Sequence, residues 1–200
     1  MDITDAQALR ALYPEPRERA LKKQLTTIDV HARRFIELSP FVVLASAGAA
    51  GVDASPRGGA PGFVRVLDAR TLWIPDSPGN NRLDSLRNIV ERGDVGLLFL
   101  IPGVDETLRI NGRATLTTDP DTLARCADAK RTPKLVIRVD VREVYLHCAK
   151  AFMRSKLWAS DSRVPRDTLP TMGQMLSDQT GIAIAPETQE EMARRYAPDL

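Results

Sequence analysis

From Arg17 to Leu38 apolar residues recur at Leu21, Leu25, Ile28, Ala32 and Phe35, with Arg, Lys, Asp and Glu between them. That spacing predicts one helix with Asp29 as an internal cap. Residues 1–16 end in Tyr13-Pro14-Glu15-Pro16 and read as an extended arm ahead of it. After Ser39-Pro40 the period shortens. Phe41 to Ala47 and Val52 to Arg57 form two strand-like runs about a Gly48-Ala49-Ala50-Gly51 turn. Phe63 to Leu67 and Thr71 to Ile74 form two more about Asp68-Ala69-Arg70.

Pro75, Pro78 and Gly79 stop the fourth run, and Asn80 or Asn81 is placed to cap a helix through Leu83, Leu86, Ile89 and Val90, which would share one apolar face. Val95 to Ile101 is nearly all apolar, as expected of a strand buried on both faces. Glu106 to Thr117 alternates, with Gly112 as the expected bulge, and Asp119-Pro120 opens a short helix to about Ala129. Leu135 to His147 alternates too, but its apolar residues change face near Asp140, so a bend or bulge is expected there. Ala149 to Trp158 reads as a short basic helix, and Met172 to Ser177 and Glu187 to Tyr196 as two final helices. The order is a helix, about six antiparallel strands interrupted by helices after the fourth and sixth, and a helical tail. It predicts an α+β fold, an antiparallel Greek-key barrel with flanking helices. Residues 1–200 are expected to form one domain: arm and helix over 1–38, barrel core over 39–147, helical cover over 148–200.

Composition narrows the function more than the fold. With 28 basic and 26 acidic residues the net charge is +2, too balanced for a dedicated nucleic-acid binder. Residues 1–12 have no apolar core segment, and no later window is apolar enough to span a bilayer, so a soluble cytoplasmic protein without membrane contact is expected. Cys126 and Cys148 are the only cysteines and suggest buried thiols rather than a disulfide. Two histidines and two cysteines without paired ligand spacing give no metal site. No side-chain acid or base stands out as catalytic; His31 and His147 are isolated, and a lone histidine is more often structural.

The stretch from Ser55 to Asn88 holds the candidate chemistry. A helix start near Asn81 would offer free N–H groups and its positive dipole end, beside the Arg82 guanidinium and the Ser85 hydroxyl, which together suit a phosphate. Arg57 supplies a second cation, and Gly58 and Gly59 would let the backbone approach a ligand. The same residues also read as an ordinary turn, an ordinary cap and solvated arginines.

The motifs SPFVVLAS, VDASPRGG, TLWIPDSPGNNRLDSLRNI, GLLFLIPGVDETLRINGRA and VYLHCAKAFMRSKLW follow one another over residues ~17–160. In this order they resemble the pyridoxamine 5′-phosphate oxidase-like family of FMN-binding split barrels, within it a branch of FMN-dependent proteins without an assigned substrate. The resemblance implies a homodimer with FMN at the subunit interface. It places Arg57 at the flavin phosphate and ring, Asn81 and Arg82 in the phosphate clamp with Ser85 adding a hydroxyl, and Thr107 and Arg109 along the isoalloxazine edge. It makes Lys150, Arg154 and Ser155 contacts across the interface. It departs at the C-terminus, where EEMARRYAPDL lacks the family's vitamin-gripping segment; Trp158 is the nearest aromatic substitute. The implied function is an FMN-dependent oxidoreductase acting on a small molecule, with Arg57 or Arg109 stabilising reduced flavin. The alternative is a non-catalytic module binding flavin, deazaflavin or haem, with FMN favoured over deazaflavin by the compact phosphate corner.

Overall fold

The computed structural model describes residues 2–199. Its N-terminal part differs from the sequence reading in two ways. The expected extended arm contains α1 (Ala6–Ala11), whose first turn is closed by the Asp5 carboxylate accepting from the Gln7 and Ala8 N–H groups. The single helix expected over 17–38 is two, α2 (Glu18–Lys22) and α3 (Val30–Leu38). Between them Leu25 leaves the helical path and exchanges both backbone hydrogen bonds with Val144. Asp29 then restarts the helix by accepting the Ala32 N–H. A reciprocal ladder pair and a fresh cap outweigh the small per-residue preference for continuing a helix.

The strands are β1 (Phe41–Gly48), β2 (Gly51–Gly58), β3 (Arg65–Val66), β4 (Thr71–Pro75), β5 (Asp94–Leu100), β6 (Thr107–Thr117) and β7 (Val136–His147). They form one antiparallel sheet in the order β2-β1-β5-β6-β7-β4-β3. The fold is α+β, a split barrel with flanking helices: the strand pattern predicts the antiparallel α+β barrel, and the family resemblance implies that it is split. Both edges of the sheet are blunt: β2 carries Pro56 and β3 is two residues long.

The two expected irregularities are one bulge. Asn111 faces Glu143 while Gly112 faces Val141, so Arg142 is the extra residue in β7. The buried side chains accordingly shift from Ile137, Val139 and Val141 to Val144. A Cβ on Gly112 would stand 2.4 Å from the Asp140 carbonyl oxygen, so the bulge closes only over a glycine.

α4 (Asp84–Glu91) lies against β1, β2 and β6. With Ala32 and Ile36 of α3, its Leu86 and Ile89 close a core built from Val42, Leu44, Leu97, Phe99, Leu108, Ile110 and Val139. The expected apolar face of this helix is narrower than its sequence suggests: Leu83 is 55% exposed and Val90 75%. β5 also departs from two-sided burial. Val95, Leu97 and Phe99 are buried, whereas Gly96, Leu98 and Leu100 are only half-buried. Together with Phe41, Val43 and Ala45 of β1 they form an apolar outer surface.

α5 (Pro120–Cys126) is capped by Asp119 and shorter than expected, ending before Ala127. Beyond the barrel come α6 (Lys150–Ser155), α7 (Met172–Thr180) and α8 (Gln189–Tyr196). α8 begins later than Glu187 because Thr188 and Glu191 form a reciprocal capping box. Of the residues of α7 and α8 only Gly173 is buried.

Candidate functional site

Alternation along β2 decides what faces the core side of the sheet at its edge. Asp53, Ser55 and Arg57 are half-buried, while Val52, Ala54 and Pro56 are exposed. Asp53 and Ser55 meet the start of α4. Ser85, buried there, donates its hydroxyl hydrogen to Asp53 Oδ2 at 2.6 Å. Since that hydrogen is committed, the Ser55 hydroxyl is the donor in the 2.8 Å contact with Ser85 Oγ.

Arg57 sits next along the same face. Its Nη1 donates to the Pro56 carbonyl at 3.0 Å, and its Nε is buried with no hydrogen-bond partner. An unpaired buried guanidinium N–H is a donor that suits an anionic ligand. Asp76 lies within the field of Arg57 and Lys134, but burial is the larger influence and raises its pKa. It therefore keeps a proton to higher pH than an ordinary aspartate.

The rest of the expected corner is arranged differently. α4 starts at Asp84, so Asn81 and Arg82 precede the helix instead of forming its first turn. Asn81 and Leu83 both adopt left-handed backbone, with φ of 59° and 63°, and Asn80 Oδ1 accepts the Arg82 N–H. Asn tolerates that region, whereas Leu83 is strained there. The Arg82 side chain is exposed and pairs through Nε with Asp84 at 2.8 Å. Gly58 pairs with Phe41 in the ladder, and a Cβ on Gly59 would meet the Phe63 side chain at 2.8 Å, so packing alone requires a glycine at 59.

Thr107 and Arg109 lie elsewhere. Register carries Arg57 across to Val42, Phe99 and Leu108, all buried, whereas Arg109 shares its row with Leu98 and Val43 on the outer surface. The two arginines thus sit on opposite faces of the sheet. They are three strand spacings apart, about 14 Å. Arg109 belongs to a polar cluster that sequence reasoning missed. Glu143 accepts from Arg109 Nη2 at 2.5 Å, Asn111 Nδ2 at 3.2 Å and Gln24 Nε2 at 2.9 Å. The Tyr145 ring has Lys23 Nζ 4.2 Å and Arg109 Cζ 5.0 Å from its centroid, and His147 at its edge. Arg109 Nε is a second buried donor without a partner. Burial lowers the His147 pKa, helped by Arg109 and Lys23 and opposed by Glu143. The bulge at Arg142 is what turns Glu143, Tyr145 and His147 to the face of Arg109.

Lys150, Arg154 and Ser155 are exposed on α6. Ser155 Oγ donates to the Phe152 carbonyl, closing the helix end. Trp158 stacks on Phe152 and donates Nε1–H to the Val104 carbonyl at 2.9 Å, bracing α6 against the β5–β6 loop beside an open cleft. Cys148 is exposed, contrary to expectation, while Cys126 is buried. Among the described residues no group of three or more His, Cys, Asp and Glu could hold a metal ion, and no helix is long and apolar enough to cross a membrane.

The donor set can be weighed against a phosphate-bearing flavin. Arg57 and Arg109, each with an unpaired buried N–H, fit such a group, whereas the Ser85 hydroxyl faces a carboxylate. Known proteins share the fold. A HupZ variant from Group A Streptococcus aligns at a TM-score of 0.50 with 17% identity, over 60% of this chain and 98% of that one. An FMN-binding protein from Syntrophomonas wolfei aligns at 0.45 with 12% identity, over 70% and 91%. General Stress Protein 26 from Bacillus anthracis aligns at 0.44 with 11% identity, over 59% and 95%. No curated protein matches the chain. The family model for pyridoxamine 5′-phosphate oxidase matches residues 28–148, from the approach to α3 through every strand to the end of β7. The chain belongs to the pyridoxamine 5′-phosphate oxidase family.

Proposed function

We propose that the protein is an FMN-dependent oxidoreductase that acts on a small molecule as a homodimer. The observation that carries this reading is Arg57, a half-buried guanidinium with a free Nε–H on the core side of an edge strand, within the span of the family match. Bound FMN would supply the two-electron chemistry. The chain's part is binding and electrostatics. Arg57 would take the phosphate end, where a charge-assisted hydrogen bond is strongest because the donor has no competing partner. Arg109, fixed by Glu143, would present positive charge to the ring, where reduction leaves negative charge.

Because Arg57 and Arg109 face opposite sides of one sheet, a ligand touching both takes them from two copies of the chain. The apolar outer surface of β1 and β5 offers the area for that pairing. Lys150, Arg154 and Ser155, exposed on α6, would add contacts from the second copy.

The absorbance spectrum of the purified protein is the direct test, followed by anaerobic titration with NADH and NADPH and re-exposure to air. A flavin spectrum that bleaches and recovers supports the oxidoreductase. Bound flavin that neither nucleotide reduces favours a binding module. Arg57→Ala should weaken FMN binding roughly 10- to 100-fold, the loss of one hydrogen bond to a charged group. Unchanged affinity refutes the role of Arg57.

A further inference from the structure

The start of α4 already faces an anion that the chain itself provides. Ser85 is buried and gives its hydroxyl hydrogen to Asp53, and Ser55 gives its own to Ser85, so both hydroxyls point their donor capacity towards one carboxylate. Four residues along the same strand face, Arg57 keeps a buried Nε–H with no acceptor. One face of β2 therefore carries an anion and a cation in line, the anion at the hydroxyls and the cation with its Nε–H unpaired. Arg82 pairs with Asp84 and also lies within the field of Asp53, so it offsets only part of this carboxylate's charge.

A phosphate dianion reaching this corner meets attraction from Arg57 and repulsion from Asp53. It also finds the two hydroxyls already engaged. A ligand without the phosphate feels neither effect. We propose that Asp53 is a specificity-determining residue of the flavin site, whose carboxylate occupies the Ser55–Ser85 hydroxyl pair and so holds affinity for the phosphorylated flavin below what Arg57 and those hydroxyls would otherwise give. The proposal rests on the flavin reading above and adds a selective penalty on the phosphate end.

Asp53→Asn tests it, because the amide oxygen still accepts from Ser85 while the charge is gone. The full chain, freed of co-purified flavin, is titrated with FMN and with riboflavin, which has the same ring system and no phosphate. FMN should bind roughly tenfold tighter to the variant, the effect on a dianion of removing one like charge four residues, ~13 Å, along the strand at a partly screened site, and riboflavin should not change. Asp53→Ser, also neutral and able to accept a hydrogen bond, should act in the same direction and serves if the asparagine variant does not fold. FMN affinity that stays the same or falls overturns the proposal and leaves the flavin reading standing, as does an equal gain for both ligands. If neither wild type nor variant binds either flavin, both the flavin reading and this proposal fail.

Discussion

His147 shows how a residue's neighbours turn into a measurable property. It ends β7 at the edge of the Tyr145 ring, and burial, Arg109 and Lys23 together hold its pKa below the ordinary imidazole value. The unfolded chain therefore takes up that proton at higher pH than the folded chain does. Between about 6.5 and the lowered folded value, the unfolded state binds more protons, so stability falls as pH drops through that window. His147→Gln should remove this component, and urea midpoints followed from about pH 7 to about pH 5 check it. The idea fails if wild type and variant lose stability in parallel. The sequence offers His147 as a lone structural histidine, and its surroundings are hidden there because Lys23 and Arg109 come from distant segments. Asp53 and Ser55 are more accessible. Three polar residues at alternate positions, Asp53, Ser55 and Arg57, mark one side of a strand as polar through their spacing alone. What the strand pattern does not say is that this side turns inward to α4.

At the level of the element, the bulge in β7 links local chain chemistry to the composition of a site. Gly112 permits the close approach of the Asp140 carbonyl, Arg142 becomes the surplus residue, and everything beyond it changes face. Gly112→Ala forces a methyl group into a carbonyl oxygen, so it should destabilise the fold by about 1–3 kcal/mol. A urea unfolding midpoint equal to that of wild type would show that the ladder relaxes freely. The variant should also loosen the contact between Glu143 and Arg109, since their shared face depends on the bulge. The bulge is legible in sequence from both strands: a glycine within an alternating run and a parity change in its partner. The division between α2 and α3 is not, because the apolar spacing runs on through Leu25, and only pairing with the distant Val144 reveals the break. The start of α4 is misplaced by sequence for a related reason. Asn80 and Asn81 look like caps, but Asn80 accepts the Arg82 N–H in a turn and Asn81 takes left-handed backbone, so the helix starts only at Asp84 and Arg82 stays outside it.

The whole molecule has a well-buried barrel side and a sparsely covered outer side. Leu98 lies in the middle of that outer side, flanked in register by Val43 and Arg109. If two copies pair here, Leu98→Asp should convert a two-chain species to a one-chain species in sedimentation, because an unpaired charge in a closed interface is costly. Bound flavin should be lost in the same step. A variant that stays dimeric with its flavin would move the interface elsewhere. The strands themselves are readable from periodicity, since each has its own alternation and its own turn signals. The outer side is not readable in the same way: the unbroken apolar run of β5 suggests burial on both faces, and a single chain buries only one.

The two blunt ends of the sheet have a consequence of their own. A strand at the margin can recruit a strand from a stranger and begin an aggregate. Here one margin includes Pro56, which has no N–H to offer, and the other is too short, at Arg65–Val66, to template a partner. Such a sheet resists runaway strand addition while chains are crowded and newly made, and leaves face-to-face packing as the open route to association.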